Sequence, residues 1–420
     1  MLRDRDGFAF LNGASKAGNK KPQTRNKKLE TRNPPTTLVN FDLTAEQSLI
    51  QKTAYDFAQA EVAPVAAEYD QQADFPYPLV EKMAELGFMG LPVPEEYGGA
   101  GGDTLSYALA VEEISRADAS VGITLAAHVS LGTMPFILFG TEEQKREYVP
   151  SLAAGEKLWS FGLTEPNAGS DAGASQTRAD LVNGNWRING TKSFITNSGT
   201  RISGGVTITA VTGQGEGGKR EISNLIVPTG TLGYSVAKEY HKLGWRASDT
   251  HELAFQDAEV PEENLLGRRG AGFQQFLTIL DGGRISVAAL SVGLAQASLD
   301  ASLKYAKERS QFGRPIGSFE AIQFKLADMA TAIEHARLMT YKAAWLKDND
   351  REFAMIAGMA KLYASRVATE AADHAVQIHG GYGIMEEYPV ARYWRDVKIG
   401  EIGEGTSEIQ RLVIAKMMGL

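Results

Sequence analysis

Hydrophobic periodicity changes twice along this 420-residue chain, and no other feature limits its fold as strongly. In the first region apolar residues recur at helical spacing, as at Leu49, Ile50 and Phe57. Residues 156–270 contain alternating, β-rich runs separated by Gly, Asn and Pro, a pattern typical of strands. Helical spacing returns from Phe273 onward. The sequence therefore predicts a mainly α protein with a β domain between two helical regions.

The predicted domain boundaries follow these two changes. Capping-box patterns at residues 44–47 and 141–144 mark helix starts in the first region. In the last region, the apolar stripes suit four helices that bury those stripes against one another. We therefore predict an N-terminal helical domain, a middle β-barrel-like domain and a C-terminal four-helix bundle, at residues 38–155, 156–272 and 273–420.

Residues 1–37 differ from the rest of the chain. They contain nine Lys or Arg against three acidic residues and almost no apolar periodicity, which predicts a disordered basic extension. The composition also fits an organelle transit peptide, although Asp4 and Asp6 are unusual in one. A translation start placed too far upstream explains the segment equally well.

Charge and residue content argue against several classes of function. A net charge of -8 does not suit a general binder of nucleic acid or of anionic membranes, which needs clustered Lys and Arg. The absence of cysteine excludes disulfides, thiolate metal sites and cysteine nucleophiles. The six histidines show no metal-ligand spacing, so we predict no metal.

Two patterns in the chain imitate other structures. Residues 119–141 carry no charge and could span a bilayer, but His128, Gly132 and Pro135 interrupt the apolar run, so we predict a buried helix pair and no membrane span. Residues 213–218 satisfy G-x-G-x-x-G, yet a strand follows them where a dinucleotide site needs a helix. We predict a hairpin loop there.

Two glycine-containing segments are candidates for a catalytic site. Residues 162–171, GLTEPNAGSD, form a polar loop between apolar runs. Residues 404–408, EGTSE, place a carboxylate beside flexible backbone and before an apolar helix that offers unpaired N–H groups. Such a carboxylate suits a catalytic base, whereas the same residues also suit an ordinary helix cap.

Together these segments resemble the acyl-CoA dehydrogenase family. Residues 162–171 match its flavin-loop signature, and residues 377–396, QIHGGYGIMEEYPVARYWRD, match its C-terminal signature. The resemblance extends over about residues 38–420. It implies the architecture predicted above, FAD as the cofactor, and α,β-dehydrogenation of an acyl-CoA thioester to the trans-2-enoyl-CoA, with electrons passed to electron-transfer flavoprotein.

The resemblance also assigns roles to individual residues. Glu404 is expected to be the base that abstracts the α-proton, because the other position at which relatives carry this carboxylate is Gly283. Phe194 stands where many relatives have Trp. The residues that match flavin contacts of the family, and are predicted to bind FAD, are Phe161, Leu163, Thr164, Gly169, Ser170, Phe194, Ile195, Thr196, Arg309, Phe312, Gln377, Gly380, Gly381, Thr406 and Glu408.

Substrate contacts are implied in the same way. Gly403 precedes the base where straight-chain relatives commonly have Tyr, which predicts a short or branched acyl chain. Asp281 and Arg284 match a segment that lines the thioester site, although a structural ion pair would use the same two residues. The predicted substrate-binding residues are Ser170, Asp281, Arg284, Gly403 and Gly405.

The resemblance also predicts an assembly, while the function and the location each have alternatives. In relatives, the residues matching Arg309, Phe312, Gln377, Gly380 and Gly381 hold the FAD of a neighbouring subunit, so we expect an oligomer, a homotetramer. An oxidase that passes electrons to oxygen and a non-catalytic flavin- or CoA-binding scaffold are the alternative functions. We expect a bacterial cytoplasmic protein, or a mitochondrial matrix protein if the N-terminal extension is a transit peptide.

Overall fold

The structure is a computed structural model that describes residues 41–420, so the predictions for the N-terminal extension lie outside the described residues. The first region is helical, as predicted. Both predicted capping boxes are present, with the Thr44 and Thr141 side chains each accepting from the backbone N–H three residues later. The helices of this region are α1 Ala45–Phe57, α2 Ala66–Gln72, α3 Tyr77–Glu85, α4 Thr104–Ala117, α5 Ala119–Ala127, α6 Met134–Phe139 and α7 Glu142–Ala153.

The uncharged stretch forms one nearly continuous helix where a helix pair was predicted. A π-helical segment, His128–Thr133, joins α5 directly to α6, and neither Gly132 within it nor Pro135 just after it breaks the helix. This helix and Gly272–Glu308 are both long and apolar enough to cross a membrane, but 78% and 72% of their most apolar windows are buried inside the protein. Burial of this kind is typical of core helices.

The middle region is an eight-stranded sheet in the order β6-β7-β3-β2-β4-β5-β8, with β1 parallel to β4. β4 and β5 form an antiparallel hairpin across residues 215–219, which confirms the hairpin predicted for the glycine-rich pattern. The strands are β1 Leu158–Gly162, β2 Arg178–Val182, β3 Asn185–Thr196, β4 Ser203–Gln214, β5 Arg220–Pro228, β6 Tyr234–Glu239, β7 Thr250–Pro261 and β8 Leu265–Leu266.

The last region returns to helices. The long central helix packs against α4 and against two other long helices, and its small residues allow that close approach. A short hairpin of two-residue strands, β9 Ser310–Gln311 and β10 Arg314–Pro315, follows the first helix. The helices are α8 Gly272–Glu308, α9 Glu320–Asp348, α10 Ala354–His379, α11 Pro389–Gly400 and α12 Ser407–Met417.

Candidate active site

The turn between α11 and α12 carries the predicted base. Glu404 has φ +51° and Gly405 has φ +91°, so two consecutive residues adopt left-handed backbone conformations. A non-glycine residue in this region is uncommon and is maintained only where neighbouring contacts enforce it. Immediately afterwards the Thr406 side chain accepts from the Ile409 N–H and caps α12. Thr406 is therefore the helix cap, while the Glu404 side chain is free for another role.

The Glu404 carboxyl group is enclosed although the residue as a whole is half-buried. Its Oε2 atom is buried and has no hydrogen-bond partner in the described part of the chain. Burial raises the pKa of Glu404 to about 7, and the positive charges of Lys361 and Arg284 oppose that rise. A carboxylate with a pKa near neutrality suits general-base chemistry at neutral pH.

Gly283 on α8 lies directly against this carboxylate. A Cβ atom built on Gly283 would be 2.1 Å from Glu404 Oε2, and the three nearest heavy atoms it would meet all belong to Glu404. The space that a side chain at position 283 would use is thus occupied by the carboxylate from the turn. Positions 283 and 404, the two candidate positions for the base in the sequence, therefore lie next to each other in the fold.

Asp281 and Arg284 form an ion pair beside the carboxylate. Arg284 Nη1 is 2.5 Å from Asp281 Oδ1, and the Arg284 side chain is almost fully buried. Its Nε atom has no hydrogen-bond partner among residues 41–420. The negative charge of Glu404 favours the protonated form of Arg284. Burial raises the pKa of Tyr107 on α4, and the charge of Glu404 adds to that rise. Tyr107 of α4, Arg284 of α8 and Lys361 of α10 thus place polar or charged side chains near the Glu404 carboxyl group.

The loop after β1 and the end of β3 lie side by side. The buried Lys192 ammonium donates to the Leu163 carbonyl at 3.0 Å and pairs with Glu165 at 2.8 Å. The Ser193 N–H donates to the Thr164 carbonyl at 2.8 Å. These bonds bring together the predicted flavin-contacting residues of residues 161–170 and 194–196.

Phe194 presents an aromatic surface at this place. It has φ +61°, its side chain is 63% exposed, and its ring centre lies 4.9 Å from that of Tyr240. The neighbouring Ile195 side chain is buried in the core of the sheet, so Ile195 offers a ligand its backbone alone. Thr196 is half-buried on the same strand as Phe194.

Helix α8 connects this loop with the base. The Phe161 ring of β1 stacks on Phe276 with ring centres 6.2 Å apart. Phe276 precedes Gly283 by seven residues, which is about 10 Å along an α-helix. The first flavin-loop residue and the Glu404 carboxylate therefore contact the same helix about two turns apart.

Thr406 and Glu408 lie beside Glu404, at the cap and in the first turn of α12. The other five predicted FAD residues lie in a second region that is remote from Glu404. Arg309, Gly380 and Gly381 line a cleft of about 490 Å³ at the end of α8, and Gln377 lies in the last turn of α10. Phe312, in the hairpin after α8, is 94% exposed. Arg309 follows Gly283 by 26 residues, about 39 Å along the helix direction. The structure therefore does not bring these residues to the base of the same chain.

Comparison with known proteins identifies the family. Models of the acyl-CoA dehydrogenase N-terminal, middle and C-terminal domains match residues 44–156, 160–258 and 270–419. The chain belongs to the acyl-CoA dehydrogenase family. It is an oxidoreductase, and its cofactor is FAD, as the sequence predicted.

Individual relatives of this acyl-CoA dehydrogenase cover nearly all of the folded part. A probable acyl-CoA dehydrogenase of Bacillus subtilis, YngJ, is 57% identical over 90% of the chain and all of its own length. Butyryl-CoA dehydrogenase from Megasphaera elsdenii is 44% identical with a TM-score of 0.88, covering 91% of this chain and all of that chain. A chain in a structure of the electron transferring flavoprotein of Acidaminococcus fermentans is 46% identical with a TM-score of 0.88, covering 90% and 99%.

The residues of this acyl-CoA dehydrogenase fit FAD at both sites. Phe194 offers an exposed ring for a flat heterocycle, and a Cβ on Gly169 would meet nothing within 4 Å, so the loop is open to a ligand. At the second site, Gly380 and Gly381 are similarly open and Arg309 supplies a cation suited to phosphate. Among residues 41–420 no group of three or more His, Cys, Asp or Glu could hold a metal ion.

Sequence reasoning missed two residues that hold the base in this acyl-CoA dehydrogenase. Lys361 and Gln410 are fully buried, and both donate to backbone carbonyls of the turn that carries Glu404. A signal for Lys361 existed in the sequence, because it lies at helical spacing on the same face as buried alanines such as Ala357 and Ala364. A lysine on such a face needs a buried partner.

Proposed function

We propose that this acyl-CoA dehydrogenase converts a short or branched acyl-CoA to the trans-2-enoyl-CoA, with Glu404 as the base that takes the α-proton. The observation that carries the proposal is the buried Oε2 atom of Glu404, which has no partner within the described residues and a pKa raised to about 7. The carboxylate form of a group with these properties can accept a proton from a weakly acidic C–H bond near neutral pH.

The turn also supplies a donor for the thioester. Gln410 donates to the carbonyl oxygens of Glu404 and Gly405, while no residue from 41 to 420 accepts from the Glu404 N–H. We propose that this N–H donates to the thioester carbonyl and stabilises the enolate oxygen that forms as Oε2 takes the α-proton. FAD supplies the acceptor for the β-hydrogen when it is bound.

The space before the base supports a short or branched acyl chain. A Cβ atom on Gly403 would meet only the Ile399 carbonyl oxygen, at an ordinary 3.5 Å. A methyl group thus fits at position 403, and its absence leaves room that we assign to the acyl chain. The likeness to butyryl-CoA dehydrogenase also supports a short substrate. Turnover of butyryl-, isobutyryl-, isovaleryl- and octanoyl-CoA tests this, and an octanoyl preference would refute it.

Assembly and electron transfer are part of the same proposal. The separation of about 39 Å along α8 between Gly283 and Arg309 supports a site shared between subunits of a homotetramer, in which the Arg309 cleft completes the neighbour's FAD site. We propose electron-transfer flavoprotein as the acceptor and the bacterial cytoplasm as the location, and we place the domain boundaries at residues 155/156 and 272/273. Light scattering measures the subunit number.

One spectroscopic experiment tests the reaction. Butyryl-CoA added under anaerobic conditions should bleach the visible absorbance of the bound flavin in the wild-type protein. Glu404→Gln should retain the flavin and bleach at least ~10²-fold more slowly. An unbleached wild-type flavin would support the scaffold alternative. Stoichiometric peroxide release in air, without reduction of electron-transfer flavoprotein, would support an oxidase.

A further inference from the structure

Two buried side chains hold the backbone of the turn that carries Glu404. Lys361 Nζ donates to the Gly405 carbonyl oxygen at 2.7 Å. Gln410 Nε2 donates to the carbonyl oxygens of Glu404 and Gly405, both at 3.1 Å. The opposite orientation of the Gln410 amide would place an acceptor against these two acceptors, so Nε2 must face the turn. Two consecutive carbonyl groups are thus fixed toward the protein interior.

These bonds enforce a conformation that the turn would not adopt by itself. Glu404 has a left-handed φ, which a non-glycine residue keeps only under constraint. Position 405 contributes to the constraint, because a Cβ there would lie 2.7 Å from Gln410 Nε2. Glycine at 405 therefore lets the Gln410 amide reach both carbonyls. With the carbonyls held inward, the Glu404 side chain is directed to Gly283.

Lys361 also supplies a charge to the site. Its side chain is fully buried on α10, and burial lowers its pKa to about 8 although the charges of Glu404, Glu401 and Glu408 favour its ammonium form. The other charged group that acts on Glu404 is Arg284 of α8, itself paired with Asp281. Lys361 stands first among the opposing influences on the pKa of Glu404, ahead of Arg284.

We propose that Lys361 and Gln410 are positioning residues that act through Glu404: both hold the turn so that the carboxylate points to Gly283, and Lys361 in addition stabilises the ionised form of the carboxylate. The inference rests on the proposed role of Glu404 as the base. It assigns separable effects to the two residues, since only one of them carries a charge. A merely structural pair would not separate in this way.

The experiment measures kcat/KM for butyryl-CoA against pH. Lys361→Met should move the acid limb of the profile upward by about one pH unit, because an opposite charge close to a carboxylate typically lowers its pKa by ~1 to 3 units. Lys361→Arg retains the charge and should leave the limb in place. Gln410→Leu should lower kcat roughly 10²-fold at every pH without moving the limb, because a displaced base loses rate.

Two controls match these substitutions. Lys304→Met removes an exposed lysine of α8 and should leave the profile unchanged. Gln144→Leu removes another buried glutamine that donates to two backbone carbonyls, those of Glu263 and Leu265, far along the chain from the base. Gln144→Leu should lower the thermal midpoint as Gln410→Leu does, but kcat should stay within about twofold of wild type on the folded fraction.

The outcomes separate this inference from the proposed function. An unmoved acid limb in Lys361→Met, or an equal loss of rate for Gln144→Leu and Gln410→Leu, overturns the positioning roles while wild-type turnover still supports the reaction. If Lys361→Met does not fold, Lys361→Gln is measured in its place with the same expected shift. A wild-type protein that does not oxidise acyl-CoA, or a Glu404→Gln variant that does so normally, refutes the proposed function itself.

Discussion

A single methyl group added at Gly283 would compete with the Glu404 carboxylate for the same space. In Gly283→Ala the new Cβ would begin 2.1 Å from Glu404 Oε2, whereas ordinary contact needs at least 3.4 Å. The carboxylate must therefore retreat by about 1.3 Å, because the backbone of α8 cannot yield as easily as a side chain. The three nearest atoms all belong to Glu404, so the base is the first group that the new methyl group displaces.

The expected loss follows from that displacement. A misplacement of about 1 Å in a catalytic group typically costs ~10²-fold in rate, or about 2.7 kcal/mol of transition-state stabilisation. Folding should not suffer, because replacing glycine by alanine inside a helix stabilises it by up to ~1 kcal/mol. We therefore expect Gly283→Ala to retain FAD and an equal or higher thermal midpoint while kcat falls about 100-fold.

The neighbouring glycine supplies a matched control. A Cβ on Gly282 would meet only Lys347 Nζ, at an ordinary 3.5 Å, and would not touch Glu404. Gly282→Ala brings the same helix-propensity gain and should retain wild-type kcat within about twofold. Anaerobic stopped-flow reduction by butyryl-CoA reports the chemical step for both variants. Equal rates for Gly283→Ala and wild type would show that the carboxylate at Gly283 is not the base.

Other outcomes follow from the same geometry. Glu404→Gln should retain FAD, seen by its absorbance, and lose ~10² to 10⁴ in steady-state kcat. Because burial raises the pKa of Glu404 to about 7, kcat/KM should fall tenfold per pH unit below that value. In the unfolded chain the pKa of this glutamate is about 4.5, so its protonation stabilises the fold most below pH 4.5, and this stabilisation is lost as the pH rises through 7. Lys192→Met leaves Glu165 as a lone buried charge and should cost about 3–5 kcal/mol in denaturant unfolding, whereas the double variant with Glu165→Gln should recover part of it. Gly403→Tyr should fill the space near the acyl carbons, so isovaleryl-CoA turnover should fall more than butyryl-CoA turnover in a steady-state comparison.

Much of the site could be predicted because its signals are local. Residues 403–408 contain a carboxylate, a glycine on either side of it and a helix start at consecutive positions. Lys361 and Gln410 were not predicted. A lysine among buried alanines does indicate a buried partner, but the partner of Lys361, the Gly405 carbonyl, belongs to another element. Gln410 lies close to the turn in the sequence, but no residue pattern indicates that its amide bonds the turn. The continuity of α5 and α6 was also missed. Gly132 and Pro135 predict an interruption of the helix by local rules, whereas the structure has a π-helical segment that continues into α6.

The sequence alone determined the order of helical, sheet and helical regions, both capping boxes, the β4–β5 hairpin and the family, because periodicity and turn chemistry act between residues a few positions apart. Only the tertiary structure decided that Glu404 fills the space over Gly283, that Ile195 points into the sheet core, and that Arg309 lies far from the base. These facts depend on the packing of α8 and of the sheet against elements that are distant in the sequence. The burial of a carboxylate and the electric field at it arise from groups that are distant in the chain, so a short stretch of residues does not determine either one.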